Sequence, residues 1–315
     1  MTASTVTANT AVTAEVAAAR FTGVYAATTT PFRDDGRVDF DEFGKHCAWL
    51  ADEGVAGLIP NGSLGEYECL SDSERAELVV TAIAAAAGRV PVIPGVSGKS
   101  AAEACRWAEQ AVDAGAVAVM ALPPTAHKPT DDEVVAHFAE IARVGLPIIA
   151  YNNPFSTRVD LVPPLLARLA AIERVQAVKE FSQDARRVAQ ILEQAPRLEV
   201  ICGCDDVFVE SMLLGATGWI AGLVNAFPAA MVRLYELCER GEYVTAAGLY
   251  RAMLPALRWD ADPRFVQAIK LAQEEAGRYG GPVRLPRLPL PPDEAAAARA
   301  DARAAMAASV TVLAR

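Results

Sequence analysis

Histidine is scarce, at three residues (His46, His127 and His137), and none stands in an HExxH pattern or another close pair. A metal centre built on paired imidazoles is therefore not expected. The six cysteines, Cys47, Cys69, Cys105, Cys202, Cys204 and Cys238, form no CxxC pair. Their scatter fits reduced, buried thiols better than a metal knuckle or a disulfide framework. Basic charge is short as well: 29 Lys and Arg stand against 39 Asp and Glu, giving a net charge of −10 and a pI near 4.9. An acidic surface repels phosphate, so nucleic acid and anionic membranes are not expected partners. No apolar run approaches bilayer-spanning length, the Ala-rich stretch 82–87 included. No basic residue precedes Arg20 and no apolar signal core is present, so a cytoplasmic protein without a secretory signal is expected.

Apolar material is plentiful, at 52% of residues against 22% charged, with a mean hydropathy of +0.20. That suffices for a large core over most of the 315 residues. Residues 1–20 are Ala, Thr and Val without clear periodicity and are expected to form a flexible tail. Beyond them, short β-branched runs alternate with longer helical patterns. Strands are expected at 24–29, 57–60, 92–96, 118–122, 148–151, 175–179, 200–203 and 218–222. In the stretch 40–52, Phe40, Phe43, Cys47 and Leu50 fall on one helical face. Ser71 with Glu74, and Thr130 with Glu133, have the spacing of capping boxes.

Eight strands in alternation with helices predict an α/β fold of the (β/α)8 TIM-barrel type. A doubly wound sheet is the rival, but its first turn should carry GxGxxG, whereas Thr29-Thr30-Pro31-Phe32 stands there. The expected organisation is a barrel over 21–227 and a C-terminal helical region over 228–315.

In such a barrel, chemistry collects at the C-terminal strand ends. Lys179 closes the expected sixth strand, and alternation puts Val175, Ala177 and Lys179 on one face. An amine facing a packed interior loses proton affinity, and a neutral amine can attack a carbonyl to form a Schiff base. A strand-end lysine paired with a surface carboxylate fits this feature taken alone slightly better. Tyr151, at the end of the expected fifth strand, offers a phenol for proton relay. The loop Gly62-Ser63-Leu64-Gly65-Glu66 surrounds a hydroxyl with glycine, so that backbone N–H groups can approach a substrate carboxylate. Gly62, Leu64, Gly65 and Glu66 are its candidate substrate-binding residues beside Ser63. Cys202, Cys204, His127 and Lys128 read as packing or solvated loop residues. Asp205 and Asp206 read as stabilising the first turn of the helix that follows.

Lysine, tyrosine and a Gly-flanked serine together resemble the dihydrodipicolinate synthase / N-acetylneuraminate lyase superfamily over roughly residues 21–290. The resemblance rests on Thr30-Pro31-Phe32, the 62–66 loop, Tyr151-Asn152-Asn153-Pro154, Lys179-Glu180 and Gly203-Cys204-Asp205-Asp206. It implies Lys179 as the Schiff-base lysine and Tyr151 as the proton relay. It implies that Ser63 bridges the tyrosine to the substrate carboxylate, and that the carbonyl of Ile220 faces the pocket. It implies a 2-oxo acid or cyclic imine substrate, a homotetramer, and no metal or organic cofactor, because the protonated imine is itself the electron sink.

Members that serve lysine synthesis carry Thr-Thr where Ser63-Leu64 stands. They carry a tyrosine pair where Pro124-Thr125-Ala126-His127 stands, and an arginine where Ser156 stands. Other segments, among them Asp205-Asp206-Val207, Asn225-Ala226-Phe227-Pro228, Trp259-Asp260 and the stretch 265–271, are similar to the 1-pyrroline-4-hydroxy-2-carboxylate deaminases of hydroxyproline catabolism. The expected order is therefore such a deaminase first, a 2-keto-3-deoxy sugar-acid dehydratase or aldolase second, and 4-hydroxy-tetrahydrodipicolinate synthase third. A small-molecule-binding barrel without activity is the non-enzyme alternative.

Overall fold

The structure, a computed structural model, describes residues 21–313; the tail expected over 1–20 lies outside the described residues. Seven strands form one parallel sheet: β1 (Gly23–Ala27), β2 (Gly57–Ile59), β3 (Val119–Ala121), β4 (Ile148–Asn152), β5 (Val175–Glu180), β6 (Glu199–Cys202) and β7 (Gly218–Ala221). Their order is β2-β1-β7-β6-β5-β4-β3. The gap between β2 and β3 is filled by residues 92–96, expected as a full strand and present as two parallel bridges, Leu58 with Val92 and Gly95 with Met120. Pro91 and Pro94 explain the difference, since neither has an N–H to give a ladder. Their carbonyls still accept, from Leu58 N at 2.9 Å and Met120 N at 3.0 Å, and Val96 N reaches Met120 O at 2.9 Å. The eighth stave thus closes the (β/α)8 barrel.

The helices are α1 (Phe40–Asp52), α2 (Asp72–Ala86), α3 (Ala101–Ala114), α4 (Asp131–Ala142), α5 (Pro154–Thr157), α6 (Pro163–Ala170), α7 (Arg186–Gln194) and α8 (Phe208–Leu213). After β7 come α9 (Pro228–Glu239), α10 (Tyr243–Leu257), α11 (Phe265–Glu275) and α12 (Pro292–Leu313). α9 packs on β1, and α12 lies across α10 and α11. Helix α1 buries Phe43, Cys47 and Leu50, with His46 beside them. Both capping boxes are formed, Ser71 with Glu74 at α2 and Thr130 with Glu133 at α4.

Alternation along the strands separates an inner from an outer layer. Met120, Ile149, Tyr151, Ala177, Ile201 and Ile220 belong to a core that fills the barrel. Val119, Ala121, Ile148, Ala150, Val178 and Val200 pack outward under the helices. Val175 also packs outward, so it does not share a face with Ala177 and Lys179 as simple alternation predicts. The cause is a register shift between β4 and β5: Ile148 pairs with Val175 but Ile149 with Ala177, which leaves Gln176 as an extra residue.

Candidate active site

The register shift decides which residues meet. Beyond it Tyr151 is level with Lys179 on the neighbouring strand, whereas an unbroken ladder from Ile148 and Val175 would set Tyr151 beside Val178. The two side chains therefore point into the same end of the barrel. They line a cavity of about 450 Å3, together with Gly62, Ser63, Leu64 and groups from the C-terminal region.

Lys179 is 6% exposed, with Nζ 4.4 Å from the centre of the Tyr151 ring and 5.8 Å from that of Phe181. Burial among these rings lowers its pKa, and the charges of Asp260 and Asp205 oppose the fall. Gly203, on the next strand end, makes room for the stem: a Cβ there would stand 2.8 Å from Lys179 Cε and Cγ and 2.9 Å from the Glu180 carbonyl. Glu180 points away from the cavity and is held by Asn152 Nδ2 at 3.0 Å and Ser182 N at 2.6 Å.

The Tyr151 hydroxyl accepts a hydrogen bond from Asn153 Nδ2 at 3.0 Å, and burial raises its pKa. Asn153 also caps α5, its Oδ1 accepting from Ser156 N at 3.1 Å, so one side chain fixes both the phenol and the short helix. The partner of Tyr151 is thus Asn153 and not Ser63. The Ser63 hydroxyl is buried in the cavity wall without a hydrogen-bond partner among the described residues.

The 62–66 loop divides between two tasks. Gly62, Ser63 and Leu64 line the cavity; Gly65 and Glu66 do not. Gly65 backs onto β1, its carbonyl accepting from Thr30 Oγ1 at 2.7 Å, and a Cβ there would come within 3.1 Å of the Thr28 carbonyl. Glu66 is wholly buried and pairs with Lys270 of α11 at 3.0 Å, while its Oε2 accepts from Arg284 N at 3.1 Å. Its carboxylate is thus committed to Lys270 and to the Arg284 amide, behind the cavity wall. Ile220 is likewise absent from the wall: its side chain fills the barrel interior, and Gly222 lines the cavity from that strand. His127 and Lys128 stand outside the wall, as do Cys202 and Cys204.

Among the wall residues that the sequence did not single out for the site, two carry charge toward its chemistry. Asp260, from the turn after α10, is 6% exposed and faces the lysine end of the cavity. A Cβ on Gly222 would lie 2.4 Å from its Oδ1, so the absence of a side chain at 222 admits this carboxyl. Asp260 accepts from Asp205 N at 3.2 Å. Asp205 in turn accepts from Trp219 Nε1 at 2.9 Å, Leu223 N at 2.8 Å and Gly222 N, and so ties the ends of β6 and β7 together. Its task is this tie and not the helix turn expected for it. Burial raises the pKa of both carboxyls, and that of Asp260 is pushed up to about 7 with the Lys179 ammonium opposing the rise. Trp259-Asp260 was a visible sequence feature, but nothing local connects it to a lysine eighty residues upstream. The second is Arg287, from the segment after α11. Among the described residues, no cluster of three or more His, Cys, Asp or Glu is placed to hold a metal ion, and no helix is long and apolar enough to cross a membrane.

Known proteins resemble the chain throughout this architecture. The profile of the dihydrodipicolinate synthetase family matches residues 20–305. A 4-hydroxy-tetrahydrodipicolinate synthase of Methanospirillum hungatei is 33% identical over 273 residues, 84% of this chain and 93% of the relative. One of Leptospira biflexa is 33% identical over 237 residues, 75% of this chain and 80% of its own. The solved 4-hydroxy-tetrahydrodipicolinate synthase of Methylacidiphilum fumariolicum superposes with a TM-score of 0.89 at 25% identity, covering 93% of this chain and 98% of that one. The dihydrodipicolinate synthase of Acinetobacter baumannii, solved with pyruvate, gives 0.86 at 29% identity, covering 92% and 99%. With barrel, strand-end lysine and family profile in agreement, the chain belongs to the dihydrodipicolinate synthetase family and is a lyase of the class I, Schiff-base-lysine type.

Proposed function

We propose that Lys179 is the amine that condenses with a 2-oxo acid. The observation that carries this reading is a buried lysine whose ammonium is destabilised by its surroundings, at the floor of a cavity whose wall holds an unpartnered hydroxyl. The neutral amine adds to the 2-oxo carbon, the carbinolamine loses water, and the resulting protonated imine acidifies the adjacent carbon. Tyr151 carries protons to and from the carbinolamine oxygen, with Asn153 setting the orientation of its hydroxyl. Ser63 Oγ and the backbone of Gly62 and Leu64 bind the substrate carboxylate. A solved relative that holds pyruvate supports a 2-oxo acid at this position.

The hydroxyproline-deaminase reading loses its place, because the relatives are named 4-hydroxy-tetrahydrodipicolinate synthase. Those names favour a condensation in which the enamine formed on Lys179 attacks a second carbonyl compound. Ser156 and Gln183 in the wall favour a second reading, cleavage or dehydration of a 2-keto-3-deoxy sugar acid, since both can hydrogen-bond a hydroxylated chain.

Borohydride reduction in the presence of pyruvate tests the reading. Wild-type protein should gain one adduct, located by peptide mass spectrometry at Lys179. Lys179→Ala should gain none and lose turnover, and Lys179→Arg should match it, because a guanidinium stays protonated. Tyr151→Phe should still form adduct, slower by about 10²- to 10⁴-fold. An adduct on Lys99, Lys128 or Lys270 in place of Lys179, or turnover by Lys179→Ala, would overturn the assignment.

A further inference from the structure

The cavity wall contains two basic residues, Lys179 at the strand end and Arg287 from the C-terminal segment. Their situations differ. Lys179 is enclosed by aromatic rings, whereas the half-buried Arg287 guanidinium makes no hydrogen bond or ion pair with any described residue. Other arginines nearby are committed. Arg284 binds both oxygens of Glu74 at 2.8 Å and the Cys69 carbonyl at 2.9 Å, and Arg264 pairs with Asp262 at 2.9 Å. The Arg287 guanidinium lowers the pKa of Glu68, which burial otherwise raises, without pairing with it.

The root of Arg287 is nonetheless fixed. Its amide donates to Arg284 O at 3.1 Å, closing a turn whose first residue is anchored on Glu66, Glu74 and Cys69. On its other side the Leu288 carbonyl accepts from Gln267 Nε2 of α11 at 2.9 Å. A charged fork on a braced backbone, lining a cavity without a hydrogen-bonded or ion-paired partner among the described residues, is a preorganised receptor for a planar anion. The acids of the wall do not fill that role: Asp262 is taken by Arg264, and Asp260 lies beside Lys179.

We propose that Arg287 binds a second anionic group on the reactants, remote from the carbonyl that meets Lys179. The enzyme's substrate class then includes a carbonyl acid with a further carboxylate. The proposal rests on the Lys179 reading for the identity of the reacting end, and on Arg287 alone for the distal one. It deepens that reading by naming the charge pattern that the cavity selects.

The test separates the two ends. In Lys179→Ala, which cannot form the imine, calorimetric titration with 2-oxoglutarate and 2-oxoadipate should show tighter binding than with 2-oxovalerate, whose chain ends in a methyl. Adding Arg287→Met should weaken the two diacids by about 10- to 100-fold, the scale of a lost charge-assisted pair, and leave 2-oxovalerate within about twofold. The same single substitution in the wild-type background should raise the half-saturating concentration for borohydride trapping of 2-oxoglutarate and not that of pyruvate; normal pyruvate trapping also shows that the variant is folded. Equal changes for diacid and monoacid, no change for either diacid, or no diacid preference in the Lys179→Ala parent would each overturn the proposal. Wild-type protein that traps neither acid counts against Lys179 as the nucleophile, and the calorimetric comparison still decides Arg287.

Discussion

Burial pulls the pKa of Lys179 down and the charge of Asp260 pushes it up, so the amine's availability depends on a residue that never bonds to it. Asp260→Asn removes the opposing charge but keeps the size of the side chain. The pKa of Lys179 should then fall further, and the acid limb of borohydride trapping should move to lower pH. Burial pushes the pKa of Asp260 up to about 7, so the difference between variant and wild type should be largest above that pH, where its carboxylate is charged. A limb that stays in place, or moves to higher pH, would contradict the assigned direction. Gly203 and Gly222 act at the same scale by what they lack: one leaves space for the lysine stem and the other for the Asp260 carboxyl.

The elements around the cavity are joined by a buried pair that the substrate need not touch. Lys270 of α11 reaches Glu66 at 3.0 Å, donates to the Pro282 carbonyl at 2.7 Å and lies 4.6 Å from the centre of the Phe32 ring. Burial lowers its pKa, with Glu66 opposing. Through this contact α11 holds the 62–66 loop against the strand ends, and so holds Ser63 in the wall. Lys270→Met should leave a buried carboxylate unpaired and cost about 3–5 kcal/mol, read as a lower denaturant midpoint at pH 7. Glu66→Gln combined with Lys270→Met should recover much of that loss, because no lone charge remains. A single variant within about 0.5 kcal/mol of wild type would show that the pair does not brace the loop.

Across the whole molecule, His46 of α1 ties the helical layer to the end of β7. Asn225 donates to the Ala27 carbonyl at 2.7 Å and the Gly222 carbonyl at 2.8 Å, which turns its Oδ1 toward His46 Nε2 at 2.9 Å. That orientation requires the imidazole to donate from Nε2. Burial drops its pKa from 6.5 to about 4, with the Asn225 contact opposing. The unfolded chain therefore binds a proton in this range that the folded chain refuses. The stability contributed is full above about 6.5 and is lost as pH falls toward 4, a total of about 3 kcal/mol. The buried Asp205–Asp260 pair, with raised pKa values, acts in the opposite sense, so the comparison must be between variants. Wild type should lose more stability between pH 7 and 4.5 than His46→Gln does; parallel pH profiles for the two would refute the assignment.

Sequence alone determined the alternation of strands and helices, both capping boxes, and the placement of Lys179, Tyr151 and Ser63 at strand ends. These follow from periodicity and short-range hydrogen bonding, which are written within a few neighbouring residues. It also carried the prolines that reduce 92–96 to two bridges, although the loss of ladder becomes evident only when β2 and β3 lie on either side. Tertiary structure alone decided the register shift that sets Tyr151 beside Lys179, the pairing of Glu66 with Lys270, and the arrival of Asp260 and Arg287 in the cavity of a lysine on β5. Each of these depends on where a distant segment comes to rest. Chain periodicity records which face of an element is buried, and holds no information about which charged group from another element will arrive opposite it.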